Sequence, residues 1–401
     1  MRVALKPLTV TIIARNAVDT IEQSLMSVIA CGNDWPILLV DDSEDELTAI
    51  RAKKIAGSQI NIVKPAIHIG TGNARQTALE HIQTPYGIWL DADDQILPQR
   101  LERMFHIFQT EAVDLIFDQA RLYSGETGLH IQNLDFPPFI LGQNATPWLL
   151  ERNWLPSLHC GFSTKFARSI GYDKEMLACE DYDFLIRALL NGGRLKFEPS
   201  HGLKYYHRKN TISRNSTHTF DATKRLFDKI SNAEFLSFLD TFNLSNAARA
   251  WIILSKLQIS SNKSMAAKLC QILINNTELI PAYNRPASWL GHFASATVEM
   301  NADNWHGAFE HLKKIESSLP ASCDVKNNMG LCLYNLGEKD KAIDMLIQAL
   351  SYNPKYSDAA YNLFNIQNLN AKLDRWTTNP MRIWNSNDIY EMPNQMDIQK
   401  P

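Results

Sequence analysis

Leu8-Thr9-Val10-Thr11-Ile12-Ile13-Ala14, followed at once by Arg15-Asn16, is the stretch on which the fold turns. A short run rich in β-branched side chains and closed by a polar pair reads as a buried strand. Comparable runs recur at 36–41, 60–64, 86–91 and 113–118. Between the first two, Ile21, Leu25, Val28 and Ile29 stand at i, i+4, i+7 and i+8 and make one apolar helical face. Helices at 44–57, 71–83 and 98–110 read the same way, with Pro98 in the first turn of the last. The alternation predicts an α/β domain, Rossmann-like, with βαβ units on a mostly parallel central sheet.

Further along, residues 119–178 lose this regularity, and Pro137-Pro138, Pro147 and Pro156 mark them as strands and loops laid across one face. Order returns at Glu180, where Tyr182, Leu185, Ile186 and Leu189 give helical spacing and Gly192-Gly193 a stop. Strand-like stretches follow at 194–198 and 202–207, and beyond about residue 220 the pattern is almost wholly helical.

Within that helical part a period appears. Gly330, Ala342, Leu346, Ala349 and Pro354, shifted back by 34 residues, land on Ala296, Ala308, Leu312, Ile315 and Pro320. These are small-residue, Ala-x-x-x-Leu and terminal Pro positions of a tetratricopeptide repeat, although Lys326 stands where its consensus has tryptophan. A third unit from Ser357 fits its first helix, with Leu363. The expected organisation is an α/β domain over 1–220, a helical linker region over 221–285, an all-α repeat region over 286–375 and a loosely ordered tail over 376–401.

Composition narrows the function. A chain of 401 residues, 45% hydrophobic and 21% charged, is neither disordered nor fibrous. Its net charge of −3 gives no electrostatic footprint for nucleic acid, so any polyanion it holds should be small. No apolar run approaches the ~20 residues that span a bilayer, so the protein is not expected to be integral to a membrane. The Leu8 to Ala14 run is too brief for a signal segment, and the six scattered cysteines form no C-x-x-C pair. A cytoplasmic location is expected, with attachment to the inner face of a membrane left open.

Open parallel sheets bind ligands beyond the carboxyl ends of their strands. Here those ends carry Arg15-Asn16, Asp41-Asp42-Ser43 and Asp91-Ala92-Asp93-Asp94, with Gly70-Thr71-Gly72-Asn73-Ala74-Arg75 after the third strand. Asp91 and Asp93, two apart, can present carboxylates to Mg²⁺ or Mn²⁺ bridging a diphosphate, although an acidic turn alone is more often a solvated loop. Asp94 can equally be a cap for the next helix. The Gly70-Thr71-Gly72 turn can cradle phosphate on backbone N–H groups, with Arg75 adding charge. Asp42 can accept from a base or a ribose, or simply from its own turn. Among Glu180, Asp181 and Asp183, a carboxylate at the helix start can serve as a general base, or as a cap. His207 closes the Lys204-Tyr205-Tyr206-His207-Arg208 segment and is as easily structural as functional.

In order along residues 8–215, these segments resemble the family 2 inverting glycosyltransferases of the GT-A fold. The resemblance rests on Val10 to Asn16, Leu39-Val40-Asp41-Asp42-Ser43, Gly72-Asn73-Ala74-Arg75-Gln76 and Trp89 to Asp94. It extends to Gly171-Tyr172-Asp173, Glu180 to Arg187, and His207 with Asn210 and Ser213. Ser43-Glu44 departs from the Gly-Ser that the family usually has there. The resemblance implies a divalent metal, Mn²⁺ or Mg²⁺, held by Asp93, Asp91 and His207. It also implies donor contacts from Arg15, Asp42, Arg75 and Asp91, and Asp181 as catalytic base, ahead of Glu180 and Asp183.

The activity implied is transfer of a sugar, with inversion, from a nucleotide sugar such as a UDP-sugar to a glycan, lipid-linked or protein acceptor. The repeat region would offer a surface for a protein partner or acceptor. Two other readings stand beside this one. A sugar-phosphate nucleotidyltransferase would want a Gly-rich basic loop after the first strand, where Arg15-Asn16-Ala17-Val18 stands instead. An adaptor working through its helical repeats would carry an inactive nucleotide-sugar-binding domain.

Overall fold

A computed structural model of the chain describes residues 5–67, 70–142, 145–208, 216–260, 263–317 and 322–368, with Leu373 and Arg375. The described chain divides into two compact units, with the break after Thr241. The first begins with β1 (Leu8–Ala14), α1 (Ile21–Ile29), β2 (Ile37–Asp41), α2 (Leu47–Ala56), β3 (Ile60–Val63), α3 (Thr71–His81) and β4 (Tyr86–Asp91). β3, β2, β1 and β4 lie side by side and parallel. β1 and β2 are buried on both faces, which is why they read as continuous apolar runs. Leu8, Val10 and Ile12 point into one core with Ile21, Leu25 and Val28 of α1, the face that the helical spacing marks.

The sheet continues less simply. β5 (Gln95–Ile96) and α4 (Arg100–Thr110) precede β6 (Leu115–Ser124) and β7 (His130–Leu134), and α5 (Ala145–Glu151) leads to β8 (Gly161–Ser163). α6 (Thr164–Ile170), α7 (Glu180–Leu190) and β9 (Leu195–His207) complete the nine-stranded sheet, in the order β3-β2-β1-β4-β8-β6-β9-β5 with β7 on β6. β8 runs antiparallel between β4 and β6, while β9 is parallel to β6.

Three sequence expectations are corrected here. The 113–118 run is the first part of the longer β6. The 194–198 and 202–207 stretches form one strand, whose register against β6 shifts around Asp118 and Gln119, where the intervening Pro199 has no N–H to pair. Pro98 precedes α4 rather than entering it: the Leu97 N–H is bound to the Gly202 carbonyl at 2.8 Å, and Gln99 caps the helix in the left-handed region at φ 68°.

Two helices, α8 (Ser216–Lys229) and α9 (Asn232–Leu239), close the first unit. The second holds α10 (Asn246–Ser260) and α11 (Lys263–Ile274), a two-residue ladder of β10 (Leu279–Ile280) with β11 (Arg285–Pro286), and α12 (Ala287–Met300). α13 (Trp305–Lys313), α14 (Cys323–Asn335), α15 (Lys339–Tyr352) and α16 (Ser357–Asn368) follow, each helix packing on the next. Of the residues matched at the 34-residue period, Ala296, Ala308, Leu312, Ala342, Leu346 and Ala349 are fully buried, while Pro354 is exposed. Pro320, Asn210, Ser213 and the tail from Trp376 lie outside the described residues.

Candidate active site

The strand register assembles the site. β1 lies between β2 and β4, with Ala14 opposite Asp41 and Ile13 opposite Asp91, so the acidic ends of β2 and β4 flank the end of β1. The Asn16 N–H donates to Ser43 Oγ at 2.7 Å and the Asp42 N–H to the Ala14 carbonyl at 2.8 Å, tying the two loops together. Asp42 is buried in this packing and Arg15 is exposed beside it.

Arg75 is the hub. Its guanidinium is buried, lies 4.9 Å from the centroid of Trp89, and donates from Nε to Glu180 at 3.0 Å and from Nη2 to Asp91 at 3.3 Å. Burial works against this charge, but Asp91 and Glu180 outweigh it and hold the guanidinium firmly protonated. Its Nη1 is buried without a hydrogen-bond partner among the described residues. One cation therefore joins residues from α3, β4 and α7, and brings the acids after β4 to those at the start of α7.

The glycines before Arg75 have a packing role. A Cβ on Gly72 would collide with the Asp173 carbonyl, and the Gly72 N–H donates to the Met176 carbonyl at 3.3 Å. That N–H is thus engaged with the 173–176 loop, which corrects the expectation that it cradles phosphate.

Around Asp91 the structure adds a histidine to the acids that the sequence groups. His159 Nε2 sits 2.9 Å from Asp91 Oδ2 and its Nδ1 3.5 Å from Asp94 Oδ2. Among the described residues, Asp91, Asp94 and His159 bring one ligand atom each within 4.8 Å of one another. Asp94 is no helix cap: its Oδ1 accepts from the Tyr206 N–H at 2.9 Å, across to β9. Burial raises the Asp94 carboxyl well above its ordinary range. Asp91 is held well below its own: burial opposes ionisation there, but His159 and Arg75 prevail. For His159, burial disfavours the charge and Asp91 more than restores it.

Asp93 and His207 stand outside that trio. Asp93, whose side chain is 35% exposed, faces Arg208 at 3.3 Å, and burial together with the nearby Asp91 raises its carboxyl. His207 is the last residue of β9 and accepts from the Gly125 N–H through its carbonyl at 2.8 Å. Tyr205 instead shares the acid cluster: burial, then Asp94, Asp91 and Asp93, push its phenol upward.

The three acids of α7 part ways. Glu180 is buried against Arg75, and Asp183 is buried against Arg187 at 2.5 Å. Asp181 has no such partner among the described residues; its Oδ1 accepts the Tyr182 N–H at 2.7 Å. Burial and the Glu180 charge push its carboxyl up to about 6, with Arg75 opposing.

Sequence reasoning missed His159, Tyr205 and Arg208. His159 lies in the irregular stretch before β8 and is fixed from behind: its carbonyl accepts from Arg100, which is paired with Asp118 at 2.8 Å in full burial. No periodicity marks it. A carbonyl held by a buried arginine 59 residues away leaves no local signal.

Comparison with known proteins places this rim. Residues 9–169 match the family model described as Glycosyl transferase family 2. The matched stretch contains Arg75, the acids after β2 and β4, and His159, and α7 follows just beyond it. The chain is 26% identical over 219 residues to the succinoglycan biosynthesis protein ExoO of Rhizobium meliloti (strain 1021), covering 51% of this chain and 62% of that protein. It is 28% identical to ExoU of the same organism, over 55% of this chain and 67% of ExoU. An uncharacterized glycosyltransferase of Methanocaldococcus jannaschii is 25% identical over 45% of this chain and 64% of its own length. The chain thus spans about two thirds of the length of these curated relatives. Among solved structures, Staphylococcus aureus TarS 1–349 in complex with UDP-GlcNAc superposes with a TM-score of 0.47 at 14% identity, covering 87% of this chain and 92% of that one. Among the described residues no helix is long and apolar enough to cross a membrane.

Proposed function

We propose that the chain transfers a glycosyl group, with inversion, from a nucleoside-diphosphate sugar to a hydroxyl acceptor, and that Asp181 is the base. The observation that carries this reading is the Arg75 bridge, which sets Asp91 and Glu180, the neighbour of Asp181, around one buried cation. The family 2 domain supports the reaction class. Asp181 accepts the acceptor proton as the hydroxyl oxygen attacks the anomeric carbon, and the glycosidic bond to the diphosphate breaks on the opposite side. A carboxyl pushed up to about 6 is still ionised at neutral pH and is a stronger base than an ordinary aspartate. Glu180 and Asp183 are engaged by Arg75 and Arg187, which leaves Asp181 for the proton. The unpartnered Nη1 of Arg75 is suited to a ribose or phosphate oxygen of the donor. Arg15 and Asp42 complete the donor side at the ends of β1 and β2.

A divalent cation fits the acids after β4. Asp91 and Asp93 are the partly exposed carboxylates there, at 38% and 35%, and burial together with the Asp91 charge raises Asp93, a penalty that a cation would relieve. Oxygen donors suit Mg²⁺ or Mn²⁺. Asp94 and His159 are buried behind Asp91 and orient it. When bound, such an ion supplies positive charge for the departing diphosphate.

The helical unit is read as tetratricopeptide-like repeats, on the strength of its buried 34-residue period. A glycan, lipid-linked or protein acceptor is compatible with this arrangement.

The test is a panel of nucleotide sugars with Mn²⁺ and with EDTA, following nucleoside diphosphate release by wild type, Asp93→Ala and Asp181→Asn. Metal-dependent release from one donor, lost in both variants, is the expected result. No release and no nucleotide binding across the panel would refute the transferase and favour the adaptor.

A further inference from the structure

Two arginines face the acids after β4, and they are held in different ways. Arg75 is locked: it is buried and donates directed hydrogen bonds to Glu180 and Asp91. Arg208 is not. Its side chain is 32% exposed, and its Nε lies 3.3 Å from Asp93 Oδ2 but makes no hydrogen bond to any described residue. The guanidinium also rests 5.9 Å from the centroid of the Tyr206 ring, a contact that attracts a cation without fixing its direction. Charge holds this pair together, and another cation can supply the same charge.

The end of β9 is built to deliver Arg208 to this place. Asp94 Oδ1 accepts the Tyr206 N–H at 2.9 Å, which pins the strand to the acidic turn two residues before Arg208. The Gly125 N–H donates to the His207 carbonyl at 2.8 Å, so the end of β6 is tied to the same point. A Cβ on Gly125 would meet Arg208 Cγ at 2.6 Å and the His207 carbonyl oxygen at 2.8 Å, and the arginine stem passes where glycine alone leaves room. A hard divalent cation among these acids takes carboxylate oxygens as ligands and fills its remaining positions with phosphate and water. Such an ion and the guanidinium compete for Asp93, since each satisfies the carboxylate and the two positive charges repel.

Resting on the metal-dependent transferase reading above, we propose that Arg208 is the resident counter-charge of Asp93, and that a divalent cation reaches this carboxylate only by displacing it. Arg208 is then a positioning residue. It keeps the acidic turn balanced without metal and raises the metal concentration needed to fill the site. Metal alone is held weakly, whereas metal that arrives with a nucleoside diphosphate gains phosphate ligands that offset the lost ion pair. Arg75 cannot play this part, because its own bonds are buried and directed.

The test reads metal binding rather than turnover. Mn²⁺ is titrated into the full-length chain, with and without UDP as the probe nucleotide, and free Mn²⁺ is followed by its electron paramagnetic resonance signal. Arg208→Gln should bind Mn²⁺ at least fivefold more tightly than wild type. Gly125→Ala keeps the charge but crowds the arginine stem, and should shift affinity in the same direction. Lys204→Gln is the control for charge in general: it removes a cation from the same strand that lies over the Tyr123 ring, and should stay within twofold of wild type. Equal Mn²⁺ affinity in wild type and Arg208→Gln, or an equal gain in Lys204→Gln, would overturn the proposal and leave the metal site of the transferase reading standing. Mn²⁺ binding by none of these proteins, even with UDP, would overturn both. The comparison of wild type, Arg208→Gln and Lys204→Gln decides the matter even if Gly125→Ala fails to fold.

Discussion

The rim of the sheet and the asparagine cluster of the helical unit both bury polar groups, but they satisfy them differently. At the rim, charge is held by charge: Arg75 by Asp91 and Glu180, His159 by Asp91 and Asp94. In the helical unit, the neutral amides of Asn327 and Asn362 hold one another and the Arg375 carbonyl. Removing one partner of a buried ion pair strands a charge, at about 3–5 kcal/mol, whereas an orphaned neutral group costs about 1–3 kcal/mol. Rim substitutions should therefore spread to several partners, and substitutions among the helices should stay local.

The largest effect expected is on turnover. Asp181→Asn removes the base while leaving the Arg75 bridge intact, and kcat should fall about 10²–10⁴-fold with nucleotide binding retained. In the wild type, kcat/KM should fall as pH drops through about 6, because the base must be ionised. Stability should move the other way. A carboxyl raised in the folded state penalises folding when ionised, fully above about pH 6 and not at all well below its unfolded value near 4. Asp181→Asn should then be more stable than wild type at pH 8 and equal to it near pH 3, measured by urea midpoints. A variant less stable at pH 8 would show that Asp181 belongs to the rim's supporting network.

Next in size, Arg75→Ala strands Glu180 and Asp91 together and should cost about 3–5 kcal/mol in urea unfolding at neutral pH. A double-mutant cycle with Glu180→Gln sharpens the comparison. Strong non-additivity is expected at the rim, and additivity within about 0.5 kcal/mol would mean that the bridge contributes no coupling. A smaller loss, about 1–3 kcal/mol, is expected for His159→Ala, because the half-exposed Asp91 keeps Arg75 as a partner and Asp94 Oδ2 alone loses its neighbour. The pKa of His159 is raised on folding, so its contribution is full below about pH 6.5 and fades as pH rises through the folded value. The gap between wild type and His159→Ala should narrow in alkaline buffer.

How far these features were legible in the sequence follows from how far apart their parts lie. β1, β2 and β4 announce themselves because each is a buried apolar run closed by polar residues, Arg15-Asn16 after β1 and acids after β2 and β4. The acids of α7 are visible as a cluster, but their division of roles is not, since Arg75 lies 105 residues from Glu180 and selects it only in three dimensions. His159 has no local mark at all. β9 misleads because Pro199 looks like a break, while the register shift beside β6 absorbs it. The 34-residue period of the helices is legible because a stacked array repeats its packing. The burial of Asn327 and Asn362 on the Arg375 carbonyl is not, because asparagine on a helix reads as a polar surface residue.

The smallest effect sits in that repeat and is decided by two opposed terms. Gly330 lies inside α14, where replacing glycine by alanine should stabilise the helix by about 0.8–1 kcal/mol. A Cβ at that position would meet Leu346 Cγ at 3.0 Å and the Ala342 carbonyl at 3.2 Å, both on α15. Overpacking of this kind costs about 1–3 kcal/mol, and the Ala342 carbonyl belongs to a helix that must move as a body. The packing term should win narrowly, so Gly330→Ala should lower stability by about 1 kcal/mol, a Tm drop of a few degrees, with nucleotide-sugar turnover unchanged. Gly337 is the control. It has φ +87° and nothing within 4 Å of an added Cβ, so Gly337→Ala tests backbone strain without overpacking. If Gly330→Ala instead raises the Tm, α14 and α15 have room to separate. The close approach at the 34-residue period would then not be what holds the stack together.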